Sequence, residues 1–247
     1  MIQIKKNVIT AIENDFEYAI KGTKSPAVLL INGAGGPIEG WSRIWDKIGD
    51  ENIVFAYNRP GIGKSSKHTV AQTGNNMVKD LRALLMSLNL EPPYLIVGHS
   101  LGGLIANLFA RVYPDDVRGI IFIESSTIKD VLANSKRKKV TDINELAEVD
   151  NVLTTTKQIE ESGAFPSIPI TVIAGTKPAF SWIMPRKLKE SRLNNQKELL
   201  SLSGKGKITL ARKSGHFPQF TEPNLVINEI NNLLQEMCGE EQIKLDK

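Results

Sequence analysis

The stretch Tyr94-Leu95-Ile96-Val97-Gly98-His99-Ser100-Leu101-Gly102-Gly103-Leu104-Ile105-Ala106 limits what this chain can fold into more than any other. Leu95 to Val97 is a short apolar run that fits a buried strand. Leu104, Leu108 and Phe109 follow at helical spacing, so Gly98 to Gly102 must bridge strand and helix. The pattern G-x-S-x-G sets a glycine on each side of Ser100, because a turn that sharp brings backbone segments too close for a Cβ. Such a nucleophile elbow leaves Ser100 exposed at the carboxyl edge of a sheet.

The rest of the chain supplies that sheet. Ile2-Gln3-Ile4 and Phe16 to Ile20 read as an antiparallel start, and Ala27 to Ile31 as a continuous apolar strand of the kind covered on both faces. Trp41, Ile44, Trp45 and Ile48 recur at helical spacing, Ile53 to Tyr57 is a further strand, and Asn76 to Leu90 carries a helical stripe. Beyond the elbow, strands are expected over Val117–Ile123, Pro169–Ala174 and Lys207–Ala211, with helices over Arg186–Leu202 and Glu222–Met237. Strands alternating with helices imply an α/β fold with a mostly parallel, doubly wound sheet. Residues 125–168 interrupt the rhythm, are rich in Lys, Asp, Glu and Thr, and read as a small cap insertion between core strands six and seven.

Two nucleotide readings fail on spacing. Gly33-Ala34-Gly35 needs a third glycine where Ile38 stands, and Gly63-Lys64-Ser65 needs a phosphate-loop glycine where Asn58 stands. The loop Asn32 to Pro37 suits an oxyanion hole instead, which requires only inward-turned backbone N–H groups. A formal charge of +4 on 247 residues does not suggest nucleic acid, and Lys136 to Lys139 reads as a solvated helix face. Cys238, the single cysteine, permits no internal disulfide and reads as a small apolar residue on the last helix. The start lacks the apolar segment of a signal peptide and no run is long enough to span a bilayer, so the expectation is a cytoplasmic protein without membrane partners.

A serine hydroxyl needs a base to take its proton, and histidine is the side chain suited to the task. His99 adjoins Ser100 and should point elsewhere, and His68 lies in a polar loop. His216 follows the last core strand, where a carboxyl-edge loop carries it over the face of Ser100. The imidazole in turn needs an acid between serine and histidine in the chain. The loop Gly175 to Phe180 contains none; Glu124, at the end of the sixth strand, is the candidate, with Asp130 and Asp142 as alternatives. Leu101 and Ala34 are the candidate oxyanion donors through their amides. Trp41, Phe180 and Trp182 are candidates for a substrate pocket or for core packing.

Taken together, Gly98-His99-Ser100-Leu101-Gly102, the glycine loop, Asn58-Arg59-Pro60-Gly61-Ile62-Gly63-Lys64-Ser65 and Ser214-Gly215-His216 resemble the α/β-hydrolase superfamily over about residues 15 to 237. The resemblance implies one domain over residues 1–247, with an eight-stranded sheet and a small helical cap. It also implies Ser100 as nucleophile, His216 as base and Ala34 and Leu101 as oxyanion donors. Many members have His-Gly where this chain has Asn32-Gly33, and an acid after the sixth strand matches a subset of relatives. Serine at position 100 argues against the aspartate-nucleophile dehalogenases and epoxide hydrolases. The expected activity is hydrolysis of a small ester, thioester or lactone through an acyl-enzyme, with water as the second substrate and no metal or organic cofactor. Acyl transfer or carbon–carbon cleavage by the same residues, or a ligand-binding or signalling role, are the alternatives.

Overall fold

A computed structural model describes residues 3–135, 145–177 and 186–245. The strands β1 (Asn7–Ala11), β2 (Asn14–Lys21), β3 (Lys24–Ile31), β4 (Asn52–Tyr57), β5 (Tyr94–His99), β6 (Val117–Ile123), β7 (Ile170–Gly175) and β8 (Gly206–Ala211) form one sheet. Its order is β1-β2-β4-β3-β5-β6-β7-β8. β1, β2 and β4 pair antiparallel in sequence, and every pair from β4–β3 to β7–β8 is parallel. The helices are α1 (Gly74–Ser87), α2 (Leu101–Val112), α3 (Ile128–Ser135), α4 (Val152–Glu161), α5 (Arg186–Glu198), α6 (Pro218–Thr221) and α7 (Pro223–Leu245).

Both faces of the sheet are covered, and the period-two alternation of the strands divides the core. Leu29, Ile31, Ile96, Ile120 and Phe122 point toward Met77, Leu81 and Leu84 of α1, Leu104 and Leu108 of α2, and Ile159 of α4. Val28, Leu30, Leu95, Val97, Ile121 and Ile123 point the other way, toward Trp41, Trp45 and the Val226, Ile230 and Leu233 stripe of α7. Each such residue, fully withdrawn from water, contributes roughly 1.5 to 3 kcal/mol before conformational entropy is subtracted. The central strands can therefore be continuous apolar runs, as read from Ala27 to Ile31.

Three local features differ from the sequence reading. Residues 3–6 form no strand; the first antiparallel pair is β1–β2, whose two-residue turn is Ile12-Glu13, both at positive φ (45° and 64°). A primed hairpin turn normally advertises itself by Asn-Gly or Asp-Gly, so this one gave no signal. Trp41, Ile44, Trp45 and Ile48 are buried, yet Trp41 and Trp45 lie on two 3₁₀ turns, Ile38–Trp41 and Trp45–Lys47, the second flanked by Ile44 and Ile48. The backbone bonds there run from Ser42 N–H to Glu39 O, Ile44 N–H to Trp41 O and Lys47 N–H to Ile44 O. Three-residue spacing shows the same apolar face as an α-helix, so the stripe alone could not separate them. Cys238 is exposed rather than packed. No described helix is long and apolar enough to cross a membrane.

Between β6 and β7 the chain carries α3 and α4, and α4 packs on α1 and α2. The stretch 145–151 before α4 is a series of turns, and Lys136 to Lys139 lie outside the described residues.

Candidate active site

The elbow takes its shape from crowding. A Cβ on Gly102 would lie 2.1 Å from the Ile31 carbonyl oxygen, and one on Gly98 2.5 Å from the Gly102 oxygen. Between them Ser100 is held at φ 52°, ψ −118°, a conformation L-residues rarely adopt and which costs of the order of 1 to 3 kcal/mol. The surroundings impose it: Ser100 N–H donates to Ile123 O at 3.1 Å, and its carbonyl accepts from Gly103 and Ser126, each at 3.0 Å. Ser100 is half-buried at the carboxyl end of β5, where the helix α2 begins.

His216 arrives on the loop after β8, and its position is tethered from the elbow itself. His99 is 4% exposed, and its Nε2 lies 2.8 Å from the His216 carbonyl oxygen. A carbonyl can only accept, so this nitrogen carries the proton. Burial pushes the His99 imidazole down to about 4, keeping the ring neutral. The two imidazoles lie 4.8 Å apart, centre to centre. His99 therefore turns its Nε2 to the His216 backbone and serves as an anchor for the loop that carries His216. His68 packs against Gly61 instead.

Glu124 stands directly after β6, 3% exposed and at φ 44°. Its Oε1 accepts the Gly175 N–H at 2.6 Å, and its Oε2 lies 3.5 Å from His216 Nδ1. Arg192 of α5 pairs with the same Oε2. Burial, and then the Arg192 charge, hold the His216 imidazole below its ordinary value. Asp130 is engaged elsewhere, accepting from Thr127 and from Asn195. Asp142 lies outside the described residues.

The glycine loop closes over the elbow from the β3 side. A Cβ on Gly33 would come within 3.0 Å of His99 Nδ1 and 3.1 Å of Ser100 Cβ. Gly36 N–H donates to Gly33 O at 3.1 Å, and Gly35, at φ 63°, supplies the positive φ that the third position of a type II turn demands. The Ala34 amide has no hydrogen-bond partner among the described residues, and neither does that of Leu101, which opens α2 and lacks an intrahelical acceptor.

A cavity of about 760 Å³ opens beside this loop, lined in part by Gly33, Ala34, His99, Phe217 and Phe220. Trp41 is not at its surface: it is fully buried in the core. Its place as pocket aromatic is taken by Phe217, 50% exposed, and Phe220. Their position one and four residues after His216 is the signal that could have identified them. Phe180 and Trp182 lie outside the described residues. No group of His, Cys, Asp and Glu among the described residues is arranged to hold a metal ion.

Comparison with known proteins agrees with this architecture. Residues 26–138 match the family model described as alpha/beta hydrolase fold. Over 214 residues the chain is 26% identical to the uncharacterized protein YqjL of Bacillus subtilis, across 83% of this chain and 82% of that one. Mouse alpha/beta hydrolase domain-containing protein 10 superposes with a TM-score of 0.69 at 17% identity, covering 94% of this chain and 99% of that chain. Carboxylesterase CesB of Bacillus subtilis superposes with a TM-score of 0.66 at 16% identity, covering 94% and 92%. The chain has the α/β-hydrolase fold, with an eight-stranded, mostly parallel sheet.

Proposed function

We propose that the protein is a serine hydrolase that cleaves a small ester, thioester or lactone through an acyl-enzyme. The observation that carries this reading is the strained backbone of Ser100, φ 52°, together with a histidine, on the loop held by the neighbouring His99, whose Nδ1 lies 3.5 Å from a buried carboxylate. Strain of this kind persists only where the surroundings over-determine it, and it raises the serine out of the sheet edge. His216 takes the Ser100 proton as Oγ attacks the acyl carbon, and then returns it to the departing alcohol. Water repeats the sequence on the acyl-enzyme and releases the acid. Glu124 holds the imidazole with its proton on Nδ1 and stabilises the imidazolium, while the Ala34 and Leu101 amides receive the oxyanion. The cavity beside the loop reaches Ala34 and His99 and has Phe217 and Phe220 on its wall, so an acyl or alcohol group held there would lie next to the oxyanion loop; Ser100 and His216 are not part of its lining. One structural neighbour is a carboxylesterase, which fits this reading.

Hydrolysis of p-nitrophenyl esters from acetate to octanoate tests it. Turnover is expected, with a maximum at a short or medium acyl chain. Absence of turnover across the series, together with no covalent labelling of Ser100, would reject the hydrolase.

The pH dependence follows from the His216 environment. The base must be neutral, and its depressed pKa keeps it neutral to lower pH, so kcat/KM should fall only below the ordinary imidazole value of about 6.5. Removing the cation in Arg192→Gln relieves one of the two depressing influences, so the acidic limb is expected to move to higher pH. A profile unmoved or shifted to lower pH would contradict this assignment of Arg192.

A further inference from the structure

Apart from the pair of His216 and Glu124, a demanding polar arrangement among the described residues surrounds Arg59. Its side chain is 1% exposed, on the loop after β4, and a buried guanidinium must find acceptors for its donors. Nη1 donates to the Asn32 carbonyl at 2.9 Å and Nη2 to the Gly33 carbonyl at 2.6 Å. Glu148, from the turns between α3 and α4, accepts from Nε at 2.6 Å and from Nη2 at 3.1 Å. Glu148 Oε1 also accepts the Gly35 N–H at 2.5 Å. Burial pushes this carboxyl up, but the Arg59 charge and the hydrogen bonds outweigh it and hold it below its ordinary range, so it is ionised near neutrality.

The pair thus grips three successive peptide groups of the glycine loop, those joining Asn32 to Gly33, Gly33 to Ala34 and Ala34 to Gly35. In a trans peptide the C=O and N–H point in opposite directions, so the hold on Gly33 O fixes the direction of the Ala34 N–H. A cation on that carbonyl also polarises the peptide and makes its N–H a stronger donor. The Gly35 and Gly36 amides are consumed, by Glu148 and by Gly33 O, which leaves the Ala34 amide without a partner among the described residues.

We propose that Arg59 and Glu148 are positioning residues that set the oxyanion loop, so that the segment between β6 and β7 acts on the acyl-transfer step through Glu148 as well as covering the sheet edge. This inference rests on the hydrolase reading. It ties two parts of the chain 113 residues apart, Gly35 and Glu148, into one unit.

Glu148, whose side chain is 12% exposed, is the safer residue to change. With p-nitrophenyl butyrate, Glu148→Ala is expected to lower kcat about ten- to a hundredfold, the scale of a misplaced oxyanion donor, with KM within about twofold. An aliphatic trifluoromethyl ketone supplies the second readout. Ser100 Oγ adds to its carbonyl carbon, the proton passes to His216, and the carbonyl oxygen becomes the oxyanion. Its affinity should fall by the same factor as kcat/KM, whereas a purely structural role would leave the affinity of the remaining folded enzyme unchanged. Glu148→Gln, which keeps an oxygen for Gly35, should lose less, and Arg59→Lys, which keeps the charge but not the fork, should follow Glu148→Ala. Unchanged kcat and ketone affinity in Glu148→Ala, beside an active wild type, would overturn the positioning role and leave the hydrolase standing. A wild type that neither turns over ester nor forms the ketone adduct would overturn both.

Discussion

Ester turnover by Ser100→Ala is expected to fall about 10⁴- to 10⁶-fold, to the rate of the oxyanion loop and the cavity acting alone, with the fold intact. Alanine removes only the hydroxyl. The positive φ at this position is imposed by hydrogen bonds to Ile123, Gly103 and Ser126 that involve the backbone, so the elbow survives the change. His216→Ala should reach the same floor, since nucleophile and base act as a unit and removing either leaves the other without a task. The double variant should be no slower than either single one. Steady-state kinetics on p-nitrophenyl butyrate, with circular dichroism to check folding, measures this; a Ser100→Ala enzyme within tenfold of wild type would place the chemistry elsewhere.

Glu124→Gln is expected to lower kcat roughly 10²- to 10⁴-fold. The amide retains an oxygen for the Gly175 N–H, which Glu124 Oε1 accepts at 2.6 Å, so the strand-end conformation should hold. Its NH₂ group would then face His216 Nδ1, 3.5 Å away, where the carboxylate oxygen stood. A donor at that place favours the imidazole tautomer with its proton on Nε2, which cannot receive the serine proton. The negative charge that offsets the imidazolium is lost as well. Near-normal turnover in a folded Glu124→Gln protein would assign the orienting acid to another residue.

How much of this was legible in the sequence depends on how far apart the cooperating residues lie. The elbow could be read because its requirement is local: Gly98 and Gly102 leave no room for a Cβ, so Gly-x-Ser-x-Gly states the backbone geometry directly. His216 and Glu124 could be read because a parallel sheet delivers strand ends to one edge, and both follow a strand. The Ile12-Glu13 turn could not, since two ordinary residues take positive φ there under the pull of β1–β2 pairing. Trp41 shows the same limit from the other side: an aromatic near the glycine loop in sequence lies beneath it in space, fully buried.

The long-range ion pairs were the least visible. Arg59 and Glu148 are 89 residues apart, and Arg59 stands in the sequence only within the Asn58–Ser65 segment, a failed phosphate-loop pattern that also carries the family resemblance, with nothing to point to Glu148. Arg192, at 29% exposure on a helix rich in lysine and arginine, carries no local signal of its pairing. Only the packing of α5 against the end of β7 brings it to Glu124. Partners of this kind are set by tertiary placement, which residue pattern alone does not encode.

The most direct test of an activated serine is the intact mass of the protein after brief exposure to a fluorophosphonate, followed by mapping of the modified peptide. Oγ displaces fluoride at phosphorus, so the protein should gain a single phosphonyl group on Ser100. The gain should be abolished in Ser100→Ala and slowed in His216→Ala and Glu124→Gln. A wild-type protein that stays unmodified under conditions that label a known serine esterase, or one modified equally in Ser100→Ala, would contradict the assignment of Ser100 as the nucleophile.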